Sequence, residues 1–386
     1  PPRSTLFPYT TLFRSFWSKI SRRLDAIAYH GYGSLVEVDT RPWNQYRLTN
    51  EHSREVLKQL IDTVVRPLGP VLKTVPERAP ETVVLYTLGS NLFDTPGSWG
   101  WGWGGDAEMH QTLQRAGLDP AIVFDEDVLS DGLNEVKVLA LPNCRIMARQ
   151  VVDAIKKFQL GGGIVIADER LTPLILPDIV IDSRIQSTAA ETVKAVRRKL
   201  GTHFVPYCDT DNADLVPHVR SYRDADYLFV LNDRRGFGDY VGMYGNVKEK
   251  GLPLSGHVSV RRNDVAAAYD LVARREASIE ADGGKTTLAV DFQTNDGRLY
   301  LLLPRKIAGI AIQAPERISL DRPFTVTATV FDADHRPIEA IVPLQLELCT
   351  GDGAPAIGSG YYAAKDGQSV IAITPSRNEI GRASCR

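Results

Sequence analysis

The stretch from Val136 to Ala167 constrains the fold more than any other. Val136 to Pro142 (VKVLALP) is short and almost wholly apolar, the composition of a strand buried on both faces. After it, Val151, Val152, Ile155, Phe158 and Leu160 recur at helical spacing on an otherwise polar segment. Gly161-Gly162-Gly163 stops that helix, because glycine accepts the left-handed backbone a helix end needs. Ile164 to Ala167 then supplies a second buried strand. Strand, helix and strand of this length predict a right-handed parallel crossover. Upstream, Val83 to Leu88 predicts an earlier strand, Ala107 to Ala116 its helix, and Ala121 to Asp125 another strand. The expectation is a doubly wound, flavodoxin-like α/β domain with a parallel sheet, spanning residues 79–222.

From Tyr227 the apolar period changes to two. Tyr227 to Asn232, His257 to Arg261, Ala267 to Val272, Thr286 to Phe292 and Arg298 to Leu303 read as short strands. Asp282-Gly283-Gly284 and Asn295-Asp296-Gly297 are turn signals between them. Residues 223–306 are therefore expected to form an antiparallel β-sandwich. A second, immunoglobulin-like sandwich, cut short, is expected over 307–378. Its strands are Arg317 to Leu320, Phe324 to Asp332, Val342 to Cys349 and Ser369 to Thr374, with Asp332 to Pro337 turning a hairpin.

Residues 16–78 lead into the α/β domain. Ala26-Ile27-Ala28 runs into Tyr29-His30-Gly31, a pattern that suits the carboxyl end of a (β/α)8-barrel strand, where active-site groups sit. An ordinary loop with a half-buried histidine fits the same residues. Thr49 to Leu72 predicts a helix or helix pair with Val56, Leu57, Leu60, Ile61 and Val64 as its apolar stripe. Pro67, Gly69 and Pro70 are expected to break it, and Val75 to Pro80 to act as a linker.

Length and charge narrow the class further. At 386 residues the chain has room for two to four domains at roughly 150 residues each. A net charge of −2 without long charged runs argues against a nucleic-acid or anionic-membrane partner. No apolar stretch approaches the roughly 20 residues needed to span a bilayer. Cys144, Cys208, Cys349 and Cys385 are scattered, so neither a zinc site nor a disulfide framework is indicated. PPRSTLFPYTTLFRS at 1–15 and EIGRASCR at 379–386 resemble translated sequencing adapters and are expected to be non-native. On that expectation the chain is a fragment of a longer protein, and the lack of a signal peptide leaves its localisation open.

Between the first strand and helix of the α/β domain lie Trp99, Trp101 and Trp103, separated by glycines. Such a loop follows the carboxyl end of a strand, where open α/β sheets bind ligands. Two readings stand: the indoles pack, as a plug or a subunit contact, or they stack against sugar rings. Cys208 to Asp214 is rich in carboxylates but lacks the glycine and distal glutamate of a calcium loop, so a turn is expected there. A nucleophile of the glutamine-amidotransferase kind needs a tight strand-to-helix turn and a nearby base. Ile164–Ala167 runs instead into Asp168-Glu169-Arg170, and Cys144 sits in PNCRIM without flanking glycines. Asp168 and Glu169 are adjacent and point apart, so capping the next segment is their expected role. No dinucleotide fingerprint follows Val83–Leu88. The residues indicate no cofactor, no metal and no self-contained active site.

In this order the pieces resemble the C-terminal half of a bacterial glycoside hydrolase of the β-galactosidase type with an amidotransferase-like trimerisation domain. The runs that carry the resemblance are RPLGPVLKTVPERAPETVVLYTLGSN, AGLDPAIVFDEDVLSDGLNEVKVLALPN, FQLGGGIVIAD, DADYLFVLND and YDL…GRLYLLLP. It covers most of residues 16–378 by architecture and diffuse motifs. It implies that 16–78 is the end of a barrel and its linker helix, and that the two catalytic carboxylates lie upstream. No catalytic residue is then expected here, and Tyr29 and His30 are the only positions that would line the parent's pocket. It also implies a homo-oligomer assembled through the α/β domain, carbohydrate as the parent enzyme's partner, and a periplasmic or extracellular setting for that parent.

Overall fold

The computed structural model describes residues 16–27, 52–94, 105–181, 189–201, 203–236, 240–241, 246–247, 250–294, 296–319, 322–350, 356–374 and 381–385. Ala79–Pro217 with Gly256–Arg261 form one unit, and the described parts of Pro1–Arg78, His218–Ser255 and Arg262–Arg386 form the other.

The first unit is built on five parallel strands: β1 (Thr82–Tyr86), β2 (Ala121–Phe124), β3 (Val138–Leu141), β4 (Ile164–Ala167) and β5 (Ile179–Val180), in the order β2-β1-β3-β4-β5. Its helices are α1 (Leu88–Phe93), α2 (Gly105–Arg115), α3 (Asp125–Leu129), α4 (Arg149–Leu160) and α5 (Ala189–Leu200). Alternation along the strands explains why both faces are covered. Val83, Leu85, Leu139, Leu141, Val165 and Ala167 share one core with Val151, Val152 and Ile155 of α4. Val84, Val138, Ala140 and Ile166 point the other way and pack on Met109 and Leu113 of α2 and Val193, Val196 and Leu200 of α5. The expected doubly wound parallel sheet is present.

One element goes beyond the expectation. Ile179 and Val180 add a fifth strand against Ile166 and Ala167, which no sequence pattern announces. Asp178 makes this possible by accepting the Val165 N–H at 2.7 Å and donating its own N–H to the Val165 carbonyl. Gly161 to Gly163 does stop α4, and Gly162, at φ +93°, holds the left-handed position.

The second unit is rich in antiparallel strands. One sheet orders Arg275–Ala277, Ala267–Asp270, Gly297–Leu303, Ala225–Asn232 and Leu215–Tyr222. Ala225–Asn232 is buried along its whole length, as a central strand covered on both faces must be. Glu280–Asp282 and Lys285–Phe292 form a hairpin turned by Gly283 and Gly284, both at positive φ. A six-stranded sheet follows, in the order Gly309–Gln313, Phe324–Phe331, Gln368–Ile373, Gly360–Lys365, Ile341–Thr350 and Gly381–Cys385. Tyr227 ties the two sheets: its hydroxyl donates to the Ile341 carbonyl at 2.8 Å and accepts the Ile341 N–H at 2.7 Å. Burial pushes that phenol's pKa upward, so the bond keeps its proton.

Two expectations for this region are corrected and one holds. Arg317 to Leu320 is not a strand over its described residues; the strand before Phe324 is Gly309–Gln313. Asp332 to Pro337 does turn a short hairpin, closed by the antiparallel Phe331–Pro337 bridge and the Ile338 N–H to the Val330 carbonyl, while Phe324–Phe331 pairs along its length with Gly309–Gln313 and Gln368–Ile373. Pro67, Gly69 and Pro70 do not break the helix. His52–Leu60 passes through a π-helical turn at Ile61–Val65 into Arg66–Thr74, with Pro67 in the first turn of the last segment. Pro67 stands where a helical N–H is dispensable, and burial of Leu68 and Val71 outweighs the bond Pro70 cannot make. The tail at 379–386, set aside as non-native, contributes an edge strand at Gly381–Cys385. Edge pairing requires only backbone groups, so it is indifferent to the origin of those residues.

Candidate functional site

Trp99, Trp101, Trp103, Tyr29 and His30, the contact residues expected from sequence, lie outside the described residues. What the structure does assemble is a polar cluster at the carboxyl edge of the parallel sheet, where doubly wound folds place ligands. The loops after β1, β3 and β4 supply buried Thr87, Ser90, Asn91, Asp94, Asn143 and Asp168.

The loops are held together locally. Asp125 accepts the Thr87 hydroxyl at 3.1 Å and the Leu88 N–H at 3.0 Å, capping α1 with a carboxylate from the start of α3. Ser90 Oγ donates to the Ile146 carbonyl and accepts the Ile146 N–H, both at 2.9 Å. Gly89 permits this approach, because a Cβ there would stand 2.6 Å from the Ile146 carbonyl oxygen. Asn143, at φ +51°, turns the chain after β3 and directs its N–H to Asp168 Oδ2 at 2.7 Å. Asp168 Oδ1 accepts the Arg170 N–H at 2.9 Å, the capping role expected of it. Burial raises the Asp168 carboxyl above its ordinary pKa, and the two N–H groups only partly offset this.

Neither Cys144 nor Ser90 is poised for attack. Cys144 is fully buried in the core shared with α4, its thiol 3.3 Å from the Pro142 carbonyl. Ser90 is engaged at both lone pair and proton by Ile146. None of the loops 87–94, 142–148 and 168–172 contains a histidine.

Asp94 is the residue that sequence reading missed. Its side chain is only 4% exposed, with Arg145 Nη1 at 3.5 Å and Arg170 Nη2 at 3.7 Å. Both guanidiniums stand back farther than a hydrogen bond requires. Asp94, between Arg145 and Arg170, forms with them an open ring, and the Asn143 N–H to Asp168 joins the two loops that carry the arginines. Each member lies in a segment that follows a strand end, Asp94 just after α1, and that rule was the one signal that could have found them.

The second unit holds a buried charged set of its own. His218 Nε2 lies 2.9 Å from Glu77 Oε2, and the Arg23 N–H donates to Glu77 Oε1. Arg220, fully buried, donates from Nη2 to the carbonyls of Leu72 and Val75 and lies over the Phe229 ring, 5.8 Å from its centroid. Helix Arg66–Thr74 ends on these groups, so the set serves as its C-terminal cap. Burial pushes the Glu77 carboxyl up, but the His218 hydrogen bond and charge, the Arg23 N–H and the Arg220 charge together bring it below its ordinary 4.5. A carboxyl whose folded pKa is lowered stabilises above its unfolded value and loses that stabilisation as pH falls through the folded one. Glu77 is 38% exposed, so the effect is screened. The urea midpoint should therefore drop less between pH 5 and about pH 3 in Glu77→Gln than in the unmodified chain. Equal drops in both would exclude Glu77 from the acid response.

No protein-family model matches this sequence, and no curated protein matches it. Solved structures do. α-L-Fucosidase isoenzyme 2 from Paenibacillus thiaminolyticus aligns at 13% identity with a TM-score of 0.51, covering 66% of this chain and 53% of that one. A β-galactosidase from Bacillus circulans sp. alkalophilus aligns at 10% identity with a TM-score of 0.42, covering 66% of this chain and 46% of that one. The neighbours are glycoside hydrolases. At these identities the likeness is one of fold, and it rests on the fucosidase. The chain spans about half the length of each enzyme.

Proposed function

We propose that this chain is a non-catalytic accessory and assembly region of a glycoside hydrolase acting on galactosides or related oligo- and polysaccharides. In this reading residues 79–222 form an amidotransferase-like domain that has lost its chemistry and packs subunits together. The observation that carries the reading is the carboxyl edge of the sheet. Cys144 points into the core, Ser90 is tied to the Ile146 backbone, and Asp168 is engaged by two backbone N–H groups. Nucleophile, base and orienting group must stand together for acyl or glycosyl transfer, and no such set meets among the described residues. Paired carboxylates flanking a glycosidic bond belong, on this reading, to a part of the protein outside residues 16–378.

The test is direct. Incubated with aryl β-galactosides and aryl α-L-fucosides, the chain should show no turnover above buffer. Turnover that a single substitution within residues 16–378 abolishes would sink the proposal. Glutaminase activity lost in Cys144→Ala would do so equally.

A further inference from the structure

The reading above leaves the ring of Asp94, Arg145 and Arg170 without a role. A carboxylate this deeply buried normally accepts two or more hydrogen bonds, since removing its water without replacement is costly. Among the described residues Asp94 accepts none: Oδ2 is buried without a hydrogen-bond partner, and both guanidiniums hold off at 3.5 and 3.7 Å. Asn143, two residues from Arg145, presents a second buried and unpartnered acceptor, its Oδ1. The cluster thus offers acceptors lacking donors beside guanidinium donors that make no close bond. Arg145 is 62% exposed and Arg170 35%, so the open side of the ring is lined by the donors.

Charge decides what could fill it. Two guanidiniums repel a metal ion or an ammonium group. An anion is disfavoured as well, because Asp94, Asp168 and Glu169 together outweigh Arg145 and Arg170. A hydroxyl satisfies both kinds of partner, donating to a carboxylate while accepting from a guanidinium. Two adjacent hydroxyls on one rigid ring would do this for both oxygens of Asp94 at little entropic cost.

We infer that Asp94, Arg145 and Arg170, with Asn143 beside them, bind the vicinal hydroxyls of a neutral saccharide at the carboxyl edge of the sheet. The site is non-catalytic and serves retention of carbohydrate. It does not depend on the assembly role, since binding here and turnover of aryl glycosides are separate measurements.

Isothermal titration of the full chain with D-galactose, L-fucose and D-glucose, each to about 50 mM, tests this. At least one should bind with a Kd on the order of millimolar, as expected for a few charge-assisted hydrogen bonds in an exposed cluster. Arg145→Gln, a surface change that leaves the core intact, should weaken that binding about tenfold or more, and Asp94→Asn likewise. Trp101→Ala should leave it within about twofold. Galacturonate should bind no better than galactose. The inference is overturned if none of the three sugars binds, or if Arg145→Gln binds as the unmodified chain does. It is equally overturned if Trp101→Ala alone abolishes binding, or if galacturonate binds more tightly than galactose.

Discussion

Arg220→Met should lower the stability of the β-rich unit by about 3–5 kcal/mol, more than any other single polar substitution in it. The substitution keeps most of the side chain's length, so the loss isolates the guanidinium. Two carbonyls at the end of helix Arg66–Thr74, those of Leu72 and Val75, lose their donor at a fully buried position. Glu77 at the same time loses the positive charge whose nearest nitrogen is 4.0 Å away. Burial lowers the Arg220 pKa, with the Glu77 charge opposing. A guanidinium nevertheless stays protonated at any working pH, so the charge is real and must be balanced. Arg220→Lys should recover less than half of the loss, because the shorter lysine ends its nitrogen short of the Nη2 position that serves both carbonyls and lacks the planar group that lies over Phe229. Urea unfolding followed by circular dichroism reads these differences. A shift below about 1 kcal/mol for Arg220→Met would mean that the helix end is held by packing alone.

How far this organisation could be read beforehand depends on what each element needs. The α/β sheet was legible because a strand covered on both faces must be continuously apolar, as in VLAL and IVIA, and its helices amphipathic. Ile179–Val180 was not, because two residues held by Asp178 carry no period at all. Gly360–Lys365 escaped for a related reason: GYYAAK has no alternation, and most of it is half-buried. Pro67 and Pro70 were misread because local propensity was given priority over the buried face of Leu68 and Val71. The polar cluster was hidden differently. Asp94, Arg145 and Arg170 are each unremarked in their own segments, and only the return of three strands to one edge brings them together. Asp168 and Glu169 did stand out, but as neighbours along the chain. In the fold the partner of Asp168 is the Asn143 N–H, which no spacing rule connects to it.

The other large effect is expected at Trp17, and it bears on where the β-rich unit begins. Trp17 and Phe16 are almost fully buried, their rings edge to face at 5.9 Å, and Trp17 Nε1 donates to Asp296 Oδ1 at 3.1 Å. Asp296 is itself fixed by the Gly297 N–H at 2.8 Å and by Arg298 Nη1 at 2.6 Å. Gly297 has no room for a side chain, since a Cβ would stand 2.2 Å from the Trp17 indole. Trp17→Ala should therefore cost about 3–5 kcal/mol, the range for emptying a large buried aromatic site. Trp17→Phe, which keeps an aromatic ring and gives up the hydrogen bond to a charged acceptor, should cost about 1.5–3 kcal/mol. Gly297→Ala should cost about 1–3 kcal/mol in the unmodified chain, by forcing the indole from its place. In the Trp17→Ala background the same methyl group meets empty space, so its cost should fall towards zero or change sign. That coupling, of roughly 1–3 kcal/mol, is the decisive readout, because distant sites add to within about 0.5 kcal/mol. Additive effects would mean that residues 16–20 merely rest on the β-rich unit. Strong coupling would make them part of its core, and the segment preceding the α/β domain would belong energetically to the strands that follow it.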